Sequence, residues 1–517
     1  MELTTAQKNA LLLIEQKQFL LLHGVTGSGK TEVYLQAAAK TISRGEKVIV
    51  LVPEISLTPQ TVERFSARFK TAVLHSRLTP KEKRESWQKI VNNEVDVAIG
   101  PRSAVFAPFS RIGLIIIDEE HDPSYKQDNN PRYHAVEVAS KRAELTGAKL
   151  ILGSATPSLE TFYKFTSKPE SNCGYIKLPQ RVLNRPLPQV TLIDLRQELA
   201  AGNFSLLSRK LREEIAARLS RREKTMLFLN RRGFSTFVSC RSCGYVLECS
   251  RCKVALTYHQ DNSARCHYCD KKVEVPSNCP HCGSKYFKYF GAGTQKVEAE
   301  LKKYFGQAKV LRMDKDTVQK RNAHQDILNE FHLGDADILI GTQMIAKGHD
   351  FPEVTLVGII SADTTLHLPD FRATERTFQL LAQVAGRTGR GEKGGTVIIQ
   401  TYSPENFAIQ AAVNHDYHAF CQQELTYRQE VGYPPFSSLT LVEVASPEEA
   451  KAKEKIKEFA ERFKPTNVFG PMPSPIPKLR GFYRWQILLK DQNIDYKDFA
   501  QSEDVKIEID VDPVNMY

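Results

Sequence analysis

Eight cysteines between Cys240 and Cys282 carry metal-ligand spacing: Cys240/Cys243, Cys249/Cys252, Cys266/Cys269 and Cys279/Cys282 are four CxxC pairs. A CxxC turn lets two thiolates grip one ion, and two such turns complete a tetrahedral shell, so eight sulfurs match two Zn²⁺ ions. Only five residues separate Cys243 from Cys249, a short span for two turns to face one metal, whereas thirteen separate Cys252 from Cys266, enough for a hairpin. The expected pairing is therefore nested, with Cys240, Cys243, Cys279 and Cys282 on one zinc and Cys249, Cys252, Cys266 and Cys269 on the other. Four sulfurs per ion leave no open position, which makes the role structural rather than catalytic. His259, His267 and His281 lie close by, and one of them in place of a sulfur is the alternative ligand set. Disulfides are the competing reading, and they belong to oxidising compartments.

A second constellation is suited to bind and cleave a nucleoside triphosphate. FLLLHGVTGSGKT, residues 19–31, runs an apolar strand into Gly24-x4-Gly29-Lys30-Thr31, and EVYLQAAAKTIS continues as a helix. In that context Gly24, Gly27 and Gly29 let backbone N–H groups close around phosphates, Lys30 reaches the β- and γ-phosphates, and Thr31 holds Mg²⁺. LIIIDEEH, Leu114–His121, reads as a central parallel strand whose carboxylates emerge at its carboxyl end. Asp118 is suited to hold Mg²⁺ through water, and Glu119 to polarise an attacking water. QVAGRTGR, Gln383–Arg390, sets Arg387 and Arg390 on one helix face, placed to stabilise charge on a γ-phosphate in the transition state. A chance glycine turn, an acidic strand end and a pair of surface arginines are the plainer alternatives. Strand–loop–helix context and the length of the patterns weigh against each.

These residues need rigid carriers. A chain of 517 residues has room for three or four domains. The formal charge is +11; two zincs on eight thiolates lower it by about four units, and the remainder favours a polyanionic partner. No apolar stretch approaches membrane-spanning length and no signal-peptide pattern opens the chain, so a cytoplasmic protein without a membrane partner is expected. Apolar strands alternate with helical segments from Val48–Val52 to Lys149–Gly153, the pattern of a parallel α/β sheet. The pattern restarts with a basic helix at Ser208–Arg222 and ends with strands Val354–Ser361 and Gly395–Thr401. Leu178–Gln189, rich in Pro, Asn and Arg, reads as the connection between the two.

GVTGSGKT, DEEH, the GSAT of Gly153–Thr156, GTQMIAKGHDF at Gly341–Phe351 and QVAGRTGR occur in the order of superfamily 2 helicases, and the chain resembles that superfamily. The cysteine cluster narrows the resemblance to the PriA (primosomal protein N′) family of replication-restart helicases, over nearly the whole chain from Leu3. The resemblance implies an α/β protein: two RecA-like parallel-sheet lobes with ATP between them, a two-zinc insertion in lobe two, and a small C-terminal α+β domain. The expected limits are lobe one at 1–195, lobe two at 196–238 and 285–405, the zinc module at 239–284 and the C-terminal domain at 406–517. It further implies that Gln7 reads adenine and that Gln383 is another nucleotide contact. Family members carry, ahead of the motor, a region that binds the 3′ end of a nascent strand; here Gln7 lies six residues after Met1, and fork-end recognition is not expected of these residues.

Nucleic acid is expected at three places. The loop Asp122–His134 after DEEH carries Tyr125, Lys126, Arg132 and Tyr133, whose rings can stack on bases and whose cations can meet phosphates. It resembles the aromatic-rich loop that couples DNA to ATPase activity in PriA and RecQ helicases; the alternative is a surface loop whose tyrosines pack on the lobe. Arg102, after the strand VAIG, and Thr342 with Gln343, Lys347 and Gly348 resemble segments that grip backbone phosphates. Arg484, with Arg480, Tyr483 and Trp485, forms a basic-aromatic cluster in the last domain, suited to DNA or to protein contact. The expected function is an ATP-dependent 3′→5′ DNA helicase, a monomer, acting on single-stranded and forked DNA with single-strand DNA-binding protein and other primosome proteins. The alternatives are an ATP-driven translocase and a fork-binding scaffold without processive unwinding; the shared motifs also leave RNA open as the substrate.

Overall fold

Short aliphatic runs buried on both faces are the mark of parallel-sheet strands, and seven of them pair into one sheet. They are β1 (Phe19–Gly24), β2 (Lys47–Leu51), β3 (Thr71–Val73), β4 (Val97–Gly100), β5 (Ile112–Asp118), β6 (Lys149–Ser154) and β7 (Cys173–Leu178), in the order β3-β4-β2-β5-β6-β1-β7. Alternate side chains point to opposite faces. Leu20, Leu22, Leu114, Ile116 and Ile151 form one core with the helix Lys30–Ser43; Leu21, Ile115, Ile117 and Leu152 form another with the helix Ala135–Thr146. Only β6 separates β1 from β5, so the loops after these strands open at the same carboxyl edge. The computed structural model describes residues 2–515 apart from 54–58, 77, 168, 183–184, 230–236, 260, 290–292, 315–316, 319–322, 343, 346–350, 352, 390–393, 493 and 495–503.

The chain divides into two compact units. The first comprises Met1–Pro188, Met344–Pro352 and Ala382–Gly395, the second Gln189–Gln343, Glu353–Leu381 and Thr396–Tyr517. In the second, β8 (Gln189–Asp194) and β9 (Lys224–Phe228) precede an insertion holding β10 (Val238–Cys240), β11 (Thr257–Tyr258), β12 (Ser263–Arg265), β13 (Lys272–Glu274) and β14 (Phe287–Tyr289). Strands β15 (Val310–Met313), β16 (Ile338–Gly341), β17 (Val354–Ile359) and β18 (Thr396–Thr401) complete a parallel sheet in the order β15-β16-β9-β17-β18-β8. Both parallel sheets have the RecA-like form expected. The expected limits move in two ways: Met344–Pro352 and Ala382–Gly395, expected in lobe two, belong to the first unit, and Gln189–Asp194, expected within lobe one, pairs in register with Thr396–Thr401 as the edge strand of the second sheet. The first sheet therefore ends its claim on the chain by residue 188 rather than 195.

An antiparallel sheet closes the chain: β19 (Leu439–Ser446), β20 (Val468–Leu479), β21 (Phe482–Lys490) and β22 (Lys506–Val511), in the order β20-β21-β19-β22. Its one face packs on the helix Glu449–Ala460 through Ala452, Ile456 and Phe459. The insertion does not stand apart from this domain. Cys249, Cys252, Cys266 and Tyr268 share one core with Phe371, Tyr433, Leu439 and Leu488. The Tyr268 hydroxyl accepts from Phe371 N at 3.1 Å, and the Tyr433 hydroxyl donates to Cys252 O at 3.1 Å. Beside them Arg428, fully buried, is held by Glu375 at 2.6 Å and Glu424 at 3.0 Å. Among the described residues no helix is long and apolar enough to cross a membrane.

Candidate functional site

After Gly24 the chain turns through Gly27 and Gly29, at φ of 84° and 81°, into the helix that starts at Lys30. That left-handed region is closed to most side chains, and a Cβ on Gly29 would come 2.4 Å from the Gln7 amide nitrogen. The loop borders a cavity of about 600 Å³ whose lining includes Gln7, Lys30, Thr31, Asp118 and Glu119. Lys30 Nζ rests on Gly24 O at 2.9 Å. The buried Ser28 hydroxyl has no hydrogen-bond partner among the described residues, an unspent donor of the kind a phosphate oxygen satisfies. Gln7 works twice: it exchanges hydrogen bonds with Thr4 in a capping box, and its Nε2 donates to Ser28 O at 3.2 Å. It braces the loop as well as bordering the cavity.

Asp118 is clamped by two phenols. Tyr34, one helical turn after Lys30, donates to Asp118 Oδ1 at 2.9 Å, and Tyr125 donates to Asp118 O at 2.6 Å. Burial and the charge of Glu119 push Asp118 up to about 6, against the pull of Lys30 and the Tyr34 hydroxyl. Two adjacent carboxylates so placed are short of positive charge, and Thr31 lies in the same cavity, so a hard divalent cation fits the donor set. Glu119 sits at φ 49°, a strained conformation for a glutamate. The rest of the motif is spent on architecture. Glu120 accepts from Ser158 N at 2.7 Å and from Thr161 Oγ1 at 3.0 Å, anchoring the helix Leu159–Thr166. His121 Nδ1 lies 2.7 Å from Ser154 Oγ, which ties DEEH to GSAT.

Arg387 belongs to the same unit as these groups. Burial pulls its guanidinium down to about 10, and the nearby Glu119 carboxylate opposes that pull. Gly386 approaches the loop so closely that a Cβ there would meet Thr26 Oγ1 at 2.8 Å. Lys30, Asp118, Glu119 and Arg387 are thus brought together. Gln383 stands on the helix Ala373–Ala385 and is not part of the cavity wall. Arg390 lies outside the described residues, as do Gln343, Lys347 and Gly348.

The cysteines fall into the nested sets expected: Cys240, Cys243, Cys279 and Cys282; and Cys249, Cys252, Cys266 and Cys269, with the sulfurs of each set within 4.8 Å of one another. Zn–S bonds of about 2.3 Å put tetrahedral sulfurs about 3.8 Å apart. The Cys240–Cys282, Cys243–Cys279 and Cys249–Cys269 separations are 3.6, 3.7 and 3.6 Å. Each CxxC makes the same knuckle: Gly244, Lys253, Asp270 and Gly283 follow the second cysteines, all at left-handed φ. Each donates its N–H to the carbonyl of its pair's first cysteine at 2.8–2.9 Å. Four repeats of one turn, two facing two, fit a pair of zinc ions.

The expected nucleic-acid contacts fare differently. Tyr125 is fully buried in the core with Ile117 and Ala135, so neither face of its ring is open to a base. Its hydroxyl finds a main-chain acceptor there, which removes the polar cost of burial. Lys126 is buried too, bridged to His134. Arg102 spends NH1 on Ser124 O at 3.0 Å and Lys126 O at 2.9 Å, so it holds this loop instead of projecting from the surface. Tyr133 is half-buried, edge-on to Phe106 at 5.1 Å, and Arg132 is half-buried beside it. Thr342 sits just past β16, its N–H 3.4 Å from Met313 O. Arg484 is forked onto Glu443 at 2.7 and 2.6 Å, a bidentate pair that neutralises it. Tyr34 and Glu120 escaped the sequence reading; the i,i+4 spacing of Tyr34 from Lys30 was the available signal.

Comparison with known proteins adds to the geometry. The DEAD/DEAH box helicase family matches residues 4–165, the helicase conserved C-terminal domain 287–392, and the primosomal protein N C-terminal domain 429–514. Replication restart protein PriA of Bacillus subtilis is 48% identical over 97% of this chain and 64% of its own length. The Synechocystis protein of that name is 46% identical over 100% and 65%, and the Haemophilus influenzae one 38% over 96% and 70%. The chain spans just under two thirds of the length of the first two.

Proposed function

Because the chain belongs to the replication restart protein PriA family, we propose that it is an ATP-dependent DNA helicase of superfamily 2 that opens branched DNA at stalled forks so that replication can restart. The observation that carries the reading is the gathering of Lys30, Asp118, Glu119 and Arg387 around one glycine loop. ATP phosphates lie on the backbone N–H groups of that loop, and Lys30 leaves Gly24 O to meet them. Glu119 orients the attacking water and Arg387 steadies the charge that develops on the γ-phosphoryl. Thr31 and Asp118 hold Mg²⁺, which supplies charge neutralisation and phosphate orientation.

Hydrolysis drives 3′→5′ travel along one strand, with Arg132, Tyr133, Thr342 and Lys347 meeting the nucleic acid. Two zincs hold the cysteine module, in a reducing, cytoplasmic compartment where thiols stay available. The chain acts as a monomer, with single-strand DNA-binding protein and other primosome proteins as partners. The deciding experiment compares ATP turnover with single-stranded DNA and with RNA, then strand displacement on forks with a 3′ or a 5′ tail. DNA-stimulated turnover with displacement from the 3′ tail is expected. Stimulation without displacement would turn the reading into a translocase, and no turnover into a scaffold.

Loop Asp122–His134 couples to the site through Tyr125. Tyr125→Phe keeps the packing but removes the hydrogen bond to Asp118 O. DNA-stimulated turnover is expected to fall about 2- to 12-fold, the equivalent of one net hydrogen bond of about 0.5–1.5 kcal/mol. A DNA titration of ATPase activity reads this, and unchanged stimulation would remove Tyr125 from the coupling.

A further inference from the structure

Beyond β7 the chain runs along the phosphate loop within the first unit. Val25 N–H donates to Leu178 O at 3.1 Å and Val182 N–H to Gly27 O at 3.0 Å. Between these two anchors stands Arg181, 6% exposed. Its stem lies on the apex of the loop: a Cβ on Gly27 would meet Arg181 Cγ at 3.6 Å and Nε at 3.9 Å. Its NH1 donates to Gly389 O at 3.1 Å, two residues past Arg387, and to Pro186 O at 3.3 Å. Nε and NH2 are buried with no hydrogen-bond partner among the described residues. Burial and the neighbouring Arg185 both oppose its charge.

A buried guanidinium with two idle donor nitrogens is costly. Holding Gly389 is what that cost secures. Gly389 is at φ 71°, and a Cβ there would lie 3.5 Å from Arg181 NH1, so the turn after Arg387 is shaped to receive this contact.

We propose that Arg181 is a positioning residue for ATP hydrolysis, a strut that ties the apex of the phosphate loop to the Gly386–Gly389 turn and so fixes where Arg387 stands against Glu119. The inference rests on the ATPase reading of the site. Arg181 is absent from the cavity wall, so it acts through Arg387 rather than on the nucleotide. Lysine cannot replace it fully, since its ammonium ends one bond short of the NH1 that serves both Gly389 O and Pro186 O.

Misplacing a catalytic group by about 1 Å costs about 100-fold in rate. Arg181→Ala in the full chain is therefore expected to lower kcat for ATP by about that factor while KM for ATP stays close to wild type. Arg181→Lys, which keeps a stem on Gly27, is expected to fall between the two and guards against a simple folding failure. The decisive comparison is a double-mutant cycle with Arg387→Ala. Once Arg387 is gone, either Arg181 change should slow turnover no further. Multiplicative losses, or a defect confined to KM, overturn the strut. A wild-type chain without Lys30-dependent ATPase activity would instead overturn the reading of the site, and the strut with it.

Discussion

Replacing Lys30 with alanine is expected to lower ATP turnover by about 100- to 1,000-fold, the cost of removing one preorganised charge donor from a transition state. Binding of single-stranded DNA should survive. The ammonium group sits 2.9 Å from Gly24 O, inside the loop that must receive the phosphates. It is also among the charges that oppose the upward push on Asp118. Its loss thus removes a phosphate contact and leaves Asp118 less compensated. The residues assigned to nucleic acid lie on other elements, which separates the two properties. Steady-state ATPase assays and fluorescence anisotropy with a labelled oligonucleotide make the comparison. Loss of DNA binding in a folded Lys30→Ala protein would count against this division of labour.

Metal removal carries the second large effect. The purified chain is expected to hold two zincs, and Cys252→Ser to hold one. Structural zinc contributes about 10–16 kcal/mol of apparent binding energy in small modules, as much as the whole stability of a typical domain, about 5–15 kcal/mol. The two sets should differ. Cys249, Cys252 and Cys266 are buried in a core shared with Phe371 and Tyr433, whereas Cys282 is exposed. A graded chelator should therefore strip the outer set first, by way of Cys282, with the smaller change in thermal unfolding. Loss of the inner ion should follow with a large one. Metal analysis during the titration, paired with thermal melts, reads both steps. Unwinding should suffer more than ATP turnover, because Lys30, Asp118, Glu119 and Arg387 belong to the other unit. An ATPase equally crippled would mean that the zincs serve mainly to hold up the second parallel sheet.

What could be read from the chain was what is local in it. The phosphate loop declares itself because strand, glycines and helix are contiguous, and the cysteine pairing because a span of five residues resists what a span of thirteen allows. Burial and distant pairing were less legible. Tyr125 looked like a base-stacking ring, yet its hydroxyl finds the carbonyl of Asp118 and the ring goes inside. Arg484 looked like a DNA contact, but Glu443 on the neighbouring strand takes its Nε and NH2 in a bidentate pair. Gln189–Asp194 could join either sheet by composition, and only its register with Thr396–Thr401 decides. No spacing rule points to Arg181, because the turn it supports lies some two hundred positions away.

The apolar seam joining Tyr268 and Cys252 to Tyr433, Leu439 and Leu488 bears on how this protein can be taken apart. A gene fragment encoding residues 429–514 alone would carry Tyr433, Leu439 and Leu488 into water without the Cys252, Tyr268 and Phe371 side of their core. Such a piece is a poor bait: what it captured would reflect stickiness of a raw surface, and binding data from it would describe the cut rather than the protein.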